Sequence, residues 1–420
     1  MLSADADVAR YHTSRLNDLF VSDEDPAVPS SLLHGDQGST LIIRAAKVDY
    51  GQPLPHRLRL EAGVKSTLVT SDNNVTFLST VAKTTSLLTD ISKPFYYREN
   101  VNAAYVNLRG AAAGLSLQAG LRAEQTNLRA EQGPVLLRER NYLQLFPSLL
   151  LEKTLNKSNA LALSVARRID RPTYLQLNPL RIYRDATSYE AGNPELVAST
   201  SLNVELTHTY KGKFSTALAY ARTNQPIVNV VQPAPDGGYL VINHWANLDT
   251  RDFYTLSLTA PLELRKWWTV YFNGLYYYNR YVGTLADTHL DRGGFGAELT
   301  LNSSFVLPRG WAADLNAAYE SRQVFNFQNI SARGQLTAGV QKSIWHKQGT
   351  LRLTVTDLLY TLPVRVTSTY NTFSDSYYQR QDTRVGTLAL TYRFGNGKVA
   401  GARKRAAGAE DELRRAGGGQ

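Results

Sequence analysis

The chain has 420 residues, of which 43% are hydrophobic and 20% charged, so its composition excludes a disordered protein. Because the sequence contains no cysteine, it also excludes a disulfide framework, thiolate zinc sites and a cysteine nucleophile. The net charge of +10 does not indicate a nucleic-acid partner, since Lys and Arg are scattered along the chain and cluster only between Lys398 and Arg415.

The N-terminal segment, residues 1–37, lacks the features of a leader. No stretch between Met1 and Phe20 combines a basic region with an apolar one, so we expect no signal peptide here. No apolar run along the chain approaches the roughly 20 residues that a transmembrane helix requires. We therefore predict a partial strand or loop over residues 1–37, and a truncated chain if the protein is exported.

Period-two alternation of apolar and polar side chains dominates residues 38–395. The alternating segments exceed the five or six residues of a typical soluble strand and suit the roughly 9–11 residues of a tilted membrane strand. Clear examples are Leu115, Leu117, Ala119 and Leu121 against Ser116, Gln118, Gly120 and Arg122, and Trp311, Ala313, Leu315 and Ala317 against Ala312, Asp314, Asn316 and Ala318. This pattern predicts an all-β, antiparallel up-and-down barrel that crosses a membrane.

The predicted connections fall into two alternating classes, as in bacterial barrels with short periplasmic turns and long outer loops. The short connections are Gly51–Pro55, Gly110–Ala113, Asn156–Ser158, Lys211–Lys213, Leu262–Lys266, Pro308–Gly310 and His346–Gly349. The long ones are Ser71–Lys93, Leu128–Arg140, Arg171–Glu195 and Thr361–Tyr378, with shorter tips at Pro233–Gly238 and Thr284–Arg292.

Following these connections gives about fifteen strands, the first clear one being Thr40–Tyr50. That strand must run down to a short turn, so its upward partner is either missing or lies within Met1–Val21. An unpaired strand in hydrocarbon leaves backbone groups without partners at several kcal/mol each. We therefore expect that the chain does not close a barrel unaided and that further strands precede it.

Aromatic residues gather near the predicted strand ends, at Trp267, Trp268, Tyr276–Tyr278, Trp311, Tyr392 and Phe394. Such clusters are typical of the girdles that sit at the level of the lipid headgroups. The alternative is the ordinary preference of aromatic residues for strands. The strand lengths and the turn pattern favour the girdle.

Several stretches resemble the outer-membrane β-barrel proteins of Bacteroidota that are related to TonB-dependent receptors. They are Phe95–Tyr105, Gly120–Thr126, Leu145–Ser148, Arg167–Pro172 with Leu177–Pro179 and Gly192–Pro194, Lys342–Trp345, Thr354–Asp357 and Tyr392–Gly395. The resemblance implies a 22-stranded barrel, of which this chain would supply the C-terminal part, over residues 38–395. It also implies a plug domain and a signal peptide, neither of which precedes residue 40 here.

Candidate ligand-contacting residues lie where that resemblance is most specific. Arg171–Glu195 contains three X-Pro steps, which favour extended and turn conformations, and could be an outer loop that contacts ligand. The arginines could instead line the lumen or bind lipopolysaccharide phosphates, and the third alternative is a packed loop that holds neighbouring strands. The candidates are Arg167, Arg168, Arg171, Asn178 and Asn193.

Other charges on the alternating strands would be costly against lipid, so we expect them to face the lumen and to pair there. They are Arg59, Glu61, Lys65, Arg122, Glu124, Asp314 and Arg333.

The sequence carries no pattern for catalysis, a metal or a cofactor. Its seven histidines, at positions 12, 34, 56, 208, 244, 289 and 346, show no ligand-like spacing. A Gly-x-Ser-x-Gly elbow and a Gly-rich phosphate loop are both absent. We therefore expect a protein that is not an enzyme and holds no cofactor.

Three functions remain open. The resemblance implies energised uptake of large solutes such as metal chelates or glycans, with a TonB-type energiser as a partner only if an upstream plug exists. The alternatives are a passive or structural outer-membrane barrel that anchors surface partners, and a soluble all-β binding protein. The barrel hypotheses imply outer-membrane lipid, lipopolysaccharide and the barrel assembly machinery as partners, and residues 396–420 as a basic periplasmic tail.

Overall fold

The computed structural model describes residues 1–22, 25, 27–233, 240–285, 288–370, 373–394 and 408–417. Most of the tip Pro233–Gly238, together with residue 395 and the first part of the tail, lies outside these residues.

In chain order the strands are β1 (Leu2–Val21), β2 (Ser31–Leu54), β3 (Leu58–Val81), β4 (Thr84–Leu87), β5 (Phe95–Ala112), β6 (Leu115–Gln132), β7 (Val135–Asn156), β8 (Asn159–Asp170), β9 (Ile182–Asp185), β10 (Ser188–Glu190), β11 (Ser199–Tyr210), β12 (Phe214–Asn224), β13 (Ile227–Pro233), β14 (Val241–Asn247), β15 (Thr250–Arg265), β16 (Trp268–Leu285), β17 (Thr288–Val306), β18 (Trp311–Glu320), β19 (Gln323–Phe325), β20 (Gln328–Ile330), β21 (Arg333–Ile344), β22 (Gly349–Val355), β23 (Val364–Tyr370), β24 (Phe373–Gln379) and β25 (Gly386–Tyr392). The α-helices are α1 (Tyr174–Leu177) and α2 (Glu410–Arg415), and short 3-10 turns cover Pro308–Gly310 and Trp345–Lys347. Neither described helix has the length and apolar character needed to cross a membrane.

Seventeen of the strands form one antiparallel sheet, here called the wall. Its long strands pair in chain order from β1 through β2, β3, β5, β6, β7, β8, β11, β12, β15, β16, β17, β18, β21 and β22 to β25, and β4 pairs only with the end of β3. Two four-stranded sheets, β13-β14-β10-β9 and β19-β20-β23-β24, are built from the longer connections. Meandering pairing of neighbours confirms the predicted up-and-down topology.

The short connections predicted from the sequence join wall strands in the structure. Lys211 and Gly212 both have positive φ, 52° and 64°, between β11 and β12. Arg309 and Gly310 repeat this between β17 and β18, with φ of 59° and 76°. Consecutive residues with positive φ give the backbone twist that matches a tight antiparallel hairpin. These turns therefore set the register of the strands on either side.

Two of the long connections between wall strands are shorter than the sequence predicted, because strands continue into them. β3 runs through Ser71 to Val81, and only Gly133 and Pro134 separate β6 from β7. The chain start differs as well: β1 pairs with β2 from Leu2↔Tyr50 to Val21↔Ser31. The upward partner of the first predicted strand is thus β1, within residues 1–37.

The two faces of the wall differ in the side chains they carry. The outer face leaves large apolar residues in contact with the surroundings, including Leu143 (69% exposed), Leu218 (57%) and Phe295 (82%). A soluble protein rarely exposes so large a continuous apolar surface, whereas a membrane wall requires one. The outer face is therefore the lipid-facing side.

The inner face carries the charges that the alternation predicted for it, and they are paired. Arg59 lies 3.0 Å from Glu61, Arg333 2.7 Å from Glu320, and Arg352 2.8 Å from Asp314. Arg122 also pairs with Glu124 on β6. Pairing lowers the cost of placing charge beside a protein interior.

Aromatic side chains mark the short-turn end of the wall. Trp268 stacks on Trp267 and Phe305 with centroid distances of 6.1 and 5.9 Å. Trp345 meets Tyr392 edge-on at 5.6 Å. Amphipathic rings at one level along the strands are the expected composition of an interfacial belt.

Candidate functional site

The connection between β8 and β11, residues 171–198 and here called the inner loop, folds back against the inner face. Four of its apolar side chains are buried in one cluster with side chains of β2, β3, β5 and β6. The loop contributes Tyr174, Leu177, Leu180 and Leu196, and the wall contributes Leu41, Ile43, Ala45, Val69, Val75, Phe77, Phe95, Tyr97 and Ala130. Burying this apolar surface is what holds the loop inside the wall.

Local hydrogen bonds fix the shape of the inner loop. Thr173 and Gln176 form a reciprocal capping box at the start of α1, with bonds of 3.2 and 2.8 Å. Further on, a Cβ at Gly192 would come within 2.5–2.6 Å of the carbonyl oxygens of Asn178, Gln176 and Leu175. Only glycine allows this approach, so the loop closes on itself at that point.

Arg171 anchors the start of the inner loop. Its Nη2 lies 2.6 Å from Glu124 Oε2 and donates to Thr126 Oγ1 at 3.1 Å. Burial lowers the pKa of Arg171, but the carboxylates of Glu124 and Glu99 outweigh burial and raise it above its ordinary value. The guanidinium therefore stays charged and neutralises Glu124, which is itself buried.

Arg167 and Arg168 point to opposite faces of β8. Register pairs Arg167 with Leu202, on the outer face, and Arg168 with Ser201, on the inner face. Arg167 donates to the Leu145 carbonyl at 3.2 Å, and Arg168 is exposed. The structure therefore does not bring these two arginines together with Arg171.

Asn178 and Asn193 hold the middle and end of the inner loop. Asn178 Nδ2 donates to Asn73 Oδ1 on β3 at 3.2 Å, and its Oδ1 accepts from the Leu180 N–H at 3.1 Å. Asn193 Nδ2 donates to the Trp245 carbonyl on β14 at 3.0 Å. Both side chains are engaged in contacts within the chain.

Residues 408–417, here called the tail segment, also lie on the inner face. Ala409, Leu413 and Ala416 join the apolar cluster of the inner loop, and the Gly408 N–H donates to Asp7 Oδ2 on β1 at 2.8 Å. The sequence predicted only a basic periplasmic tail here, without a partner on the wall. The described part instead contacts the wall, because partners far away in the sequence match its charges.

A cavity of about 570 Å³ lies between β1, β2, the inner loop and the tail segment. Its lining combines aromatic rings with polar and charged groups, among them Tyr11, Arg15, Asn73, Tyr174, Trp245 and Arg415. Such a mixture suits a polar solute with rings or sugar-like faces. Within the part of the chain that the structure describes, no cluster of three His, Cys, Asp or Glu side chains could hold a metal ion.

Three features of this site escaped prediction from the sequence: the tail segment, Glu99 and Trp245. Thr173-x-x-Gln176 was a readable capping signal for α1. Contacts between strands and the tail leave no local pattern.

A family model described as an outer membrane protein beta-barrel family matches residues 1–392. No curated protein matches the sequence.

Solved structures with a similar fold include uptake receptors. The ferric yersiniabactin uptake receptor of Yersinia pestis has a TM-score of 0.58 and 13% identity, over 93% of this chain and 58% of the receptor. The ferric-catecholate import receptor of E. coli K12 has a TM-score of 0.59 and 10% identity, over 94% of this chain and 62% of the receptor. The ferric preacinetobactin receptor of Acinetobacter baumannii has a TM-score of 0.56 and 11% identity, over 93% of this chain and 60% of the receptor. This chain thus spans about three-fifths of each receptor.

Proposed function

Because the chain belongs to the outer membrane protein beta-barrel family, we propose that it forms the wall of a barrel that takes up large solutes. The protein lies in the cell outer membrane and is not an enzyme. Its outer-membrane location excludes the third alternative from the sequence, a soluble all-β protein. The observation that carries uptake is a cavity lined by aromatic, polar and charged side chains, inside a wall whose outer face is apolar.

The solute class follows from the cavity lining. Arg15 lines the cavity and makes no ion pair among the described residues, whereas the other charged side chains of the lining, Arg414, Arg415 and Glu190, pair with Asp411, Glu99 and Arg184. Guanidinium groups bind carboxylate and phenolate oxygens through charge-assisted hydrogen bonds. We therefore expect an anionic metal chelate to bind better than a neutral glycan, in line with the iron-chelate receptors that share the fold.

Energised uptake would need further partners. The resemblance to TonB-dependent receptors extends the proposal to a TonB-type energiser, which would act through a plug. Lipopolysaccharide and the barrel assembly machinery belong to the same proposal, since a lipid-facing wall must be inserted into and surrounded by the outer membrane.

Binding of two solutes to the full-length chain in detergent micelles tests the solute class. We expect a ferric tris-catecholate chelate to quench tryptophan fluorescence and a neutral maltooligosaccharide to have no effect. Arg15→Ala should weaken chelate binding about tenfold, roughly 1.4 kcal/mol. The matched control is Arg10→Ala, on the same strand but outside the cavity. Equal binding of both solutes, or equal effects of both variants, contradicts the proposal.

Accumulation in cells separates uptake from the passive alternative, a barrel that anchors surface partners. Uptake predicts that cells producing the full-length chain accumulate the chelate, and that collapsing the inner-membrane potential stops this. A passive barrel predicts accumulation that is insensitive to the potential, or none.

A further inference from the structure

Two buried ion pairs of opposite polarity hold the tail segment on the inner face. Lys65 Nζ of β3 lies 3.0 Å from Glu412 Oε2, and the two side chains are 11% and 9% exposed. Arg415 Nη1 lies 2.5 Å from Glu99 Oε2 of β5, with exposures of 10% and 3%. The wall thus supplies one cation and one anion, and the tail segment supplies the complement of each.

Arg415 makes further contacts that recognise a guanidinium specifically. Its Nε donates to the Pro172 carbonyl of the inner loop at 2.9 Å, and its Cζ lies 4.5 Å from the centre of the Tyr174 ring. A planar, forked cation can pair with a carboxylate and stack on a ring simultaneously, whereas a lysine ammonium cannot. The adjacent Arg414 is 76% exposed and pairs with Asp411 on the helix surface.

The tail segment is helical because it is bound. α2 spans only Glu410–Arg415, and isolated helices shorter than about 12 residues are marginal in water. Its acidic first turn and basic last turn suit the helix dipole but do not overcome that limit. Packing against the inner face therefore stabilises the helix, and the helix brings Ala409, Leu413 and Ala416 together as an apolar stripe.

The wall residues that receive the tail segment are already held in place. In the pairing of β3 with β5, Lys65 lies opposite Ala103 and Glu99 lies opposite Val69. The strand register therefore fixes the positions of Lys65 and Glu99. In the part of the chain that the structure describes, neither side chain makes another ion pair. Desolvated charges without partners are costly, so this face is complementary to a ligand that brings both opposite charges.

We propose that the inner face of β3 and β5 is a binding site for a short helical peptide with Glu and Arg three residues apart. The chain's own tail segment occupies this site in the structure. A peptide with the same spacing, supplied from outside, competes with the tail segment for it.

Cross-linking within the full-length chain measures occupancy of the site, because the natural chain has no cysteine to interfere. The reporter is Asp7→Cys with Gly408→Cys, whose positions are in contact but outside the ion pairs. We expect rapid disulfide formation in outer-membrane preparations. Adding Arg415→Ala should slow it at least tenfold, and adding Arg414→Ala should leave it unchanged. Equal rates for these two variants overturn the proposal.

A synthetic peptide of residues 408–417 tests recognition from outside. Added to the reporter chain, it should slow disulfide formation, and the same peptide with Arg415→Ala should not. Heat-dependent migration on gels checks that each variant has a folded wall. If Glu412→Lys disrupts cross-linking, the exchange Lys65→Glu with Glu412→Lys should restore it. No competition by the natural peptide, or no restoration by a folded exchange variant, overturns the proposal.

Discussion

The two faces of the wall carry different side chains, although the same strands form both. On β12, Leu218 points outward and is 57% exposed, while its neighbour Ala219 faces inward opposite Glu205 on β11. The outer face exposes many large apolar side chains, and the inner face carries charged side chains that form ion pairs, such as Arg59 with Glu61 and Arg352 with Asp314. Apolar side chains are compatible with lipid hydrocarbon, whereas charged side chains require partners or a water-filled lumen. Alternation along a strand therefore encodes the surroundings of each face.

The inner face itself is divided between permanent and exchangeable contacts. The inner loop is held by backbone hydrogen bonds, a capping box and a glycine that no other residue can replace. The tail segment is held mainly by side chains: two ion pairs and a narrow apolar stripe. We therefore expect changes in the loop to alter stability, and changes in the tail to alter occupancy.

The largest effect should come from a charge placed on the outer face. Leu218→Arg puts a guanidinium against lipid near the middle of β12 and should lower the free energy of unfolding by roughly 2–4 kcal/mol. Ala219→Arg is the control, because its charge would face Glu205 in the lumen. Urea unfolding in phospholipid vesicles measures both, and equal losses would break the distinction between the faces.

The next largest effect should come from the anchor of the inner loop. Arg171→Ala removes charge-assisted hydrogen bonds to a buried carboxylate, at about 1.5–3 kcal/mol, with Arg122 still pairing Glu124. Arg168→Ala, at an exposed site three residues earlier, should change stability by less than about 0.5 kcal/mol. The same unfolding titration compares them. A larger loss for Arg168→Ala would contradict the assignment of Arg171 as the anchor.

A smaller effect is expected at the end of the inner loop. Asn193→Ala removes the bond to the Trp245 carbonyl and the acceptor for the Glu195 N–H, and should cost about 1 kcal/mol. Hydrogen exchange should quicken in residues 190–197 and stay unchanged in β16. Uniform quickening through the wall would indicate that the loop is not a separate unit.

The smallest effect should be a local dependence on pH in the β13-β14 sheet, outside the wall. Burial lowers the pKa of His244 below its ordinary value, so the folded sheet binds a proton less readily than the unfolded segment. Stability is then fully present above the ordinary pKa and is lost as pH falls below it. Hydrogen exchange in β14, corrected for intrinsic rates, should quicken at acidic pH. His244→Gln should remove that change.

Prediction from sequence succeeds where the physics is local. Alternation placed Lys65, Arg122 and Glu124 on the inner face, and glycine-containing turns such as Lys211–Lys213 marked the short connections. β1 was not assigned, because Arg10, His12 and Ser14 occupy outward positions and blur the alternation. The extension of β3 through Ser71–Val81 was missed for a similar reason, since polar residues interrupt its pattern.

The candidate site was only partly accessible to the same approach. Arg171, Asn178 and Asn193 lie in one folded loop, but their partners Glu124, Asn73 and Trp245 stand on distant elements. Arg415 and Glu99 are 316 residues apart in the chain. Contacts between residues so far apart depend on the curvature of the wall, and a local sequence pattern does not predict that curvature.

Spin labels on β11 test the central claim most directly, that one face of the wall lies in lipid. Single cysteines introduced at positions 202–206 of the full-length chain each report one site, since the natural chain has no cysteine. In phospholipid vesicles, labels at Leu202, Val204 and Leu206 should be accessible to oxygen, and labels at Asn203 and Glu205 to a water-soluble nickel complex. Uniform access of the nickel complex to all five positions would contradict a lipid-embedded wall.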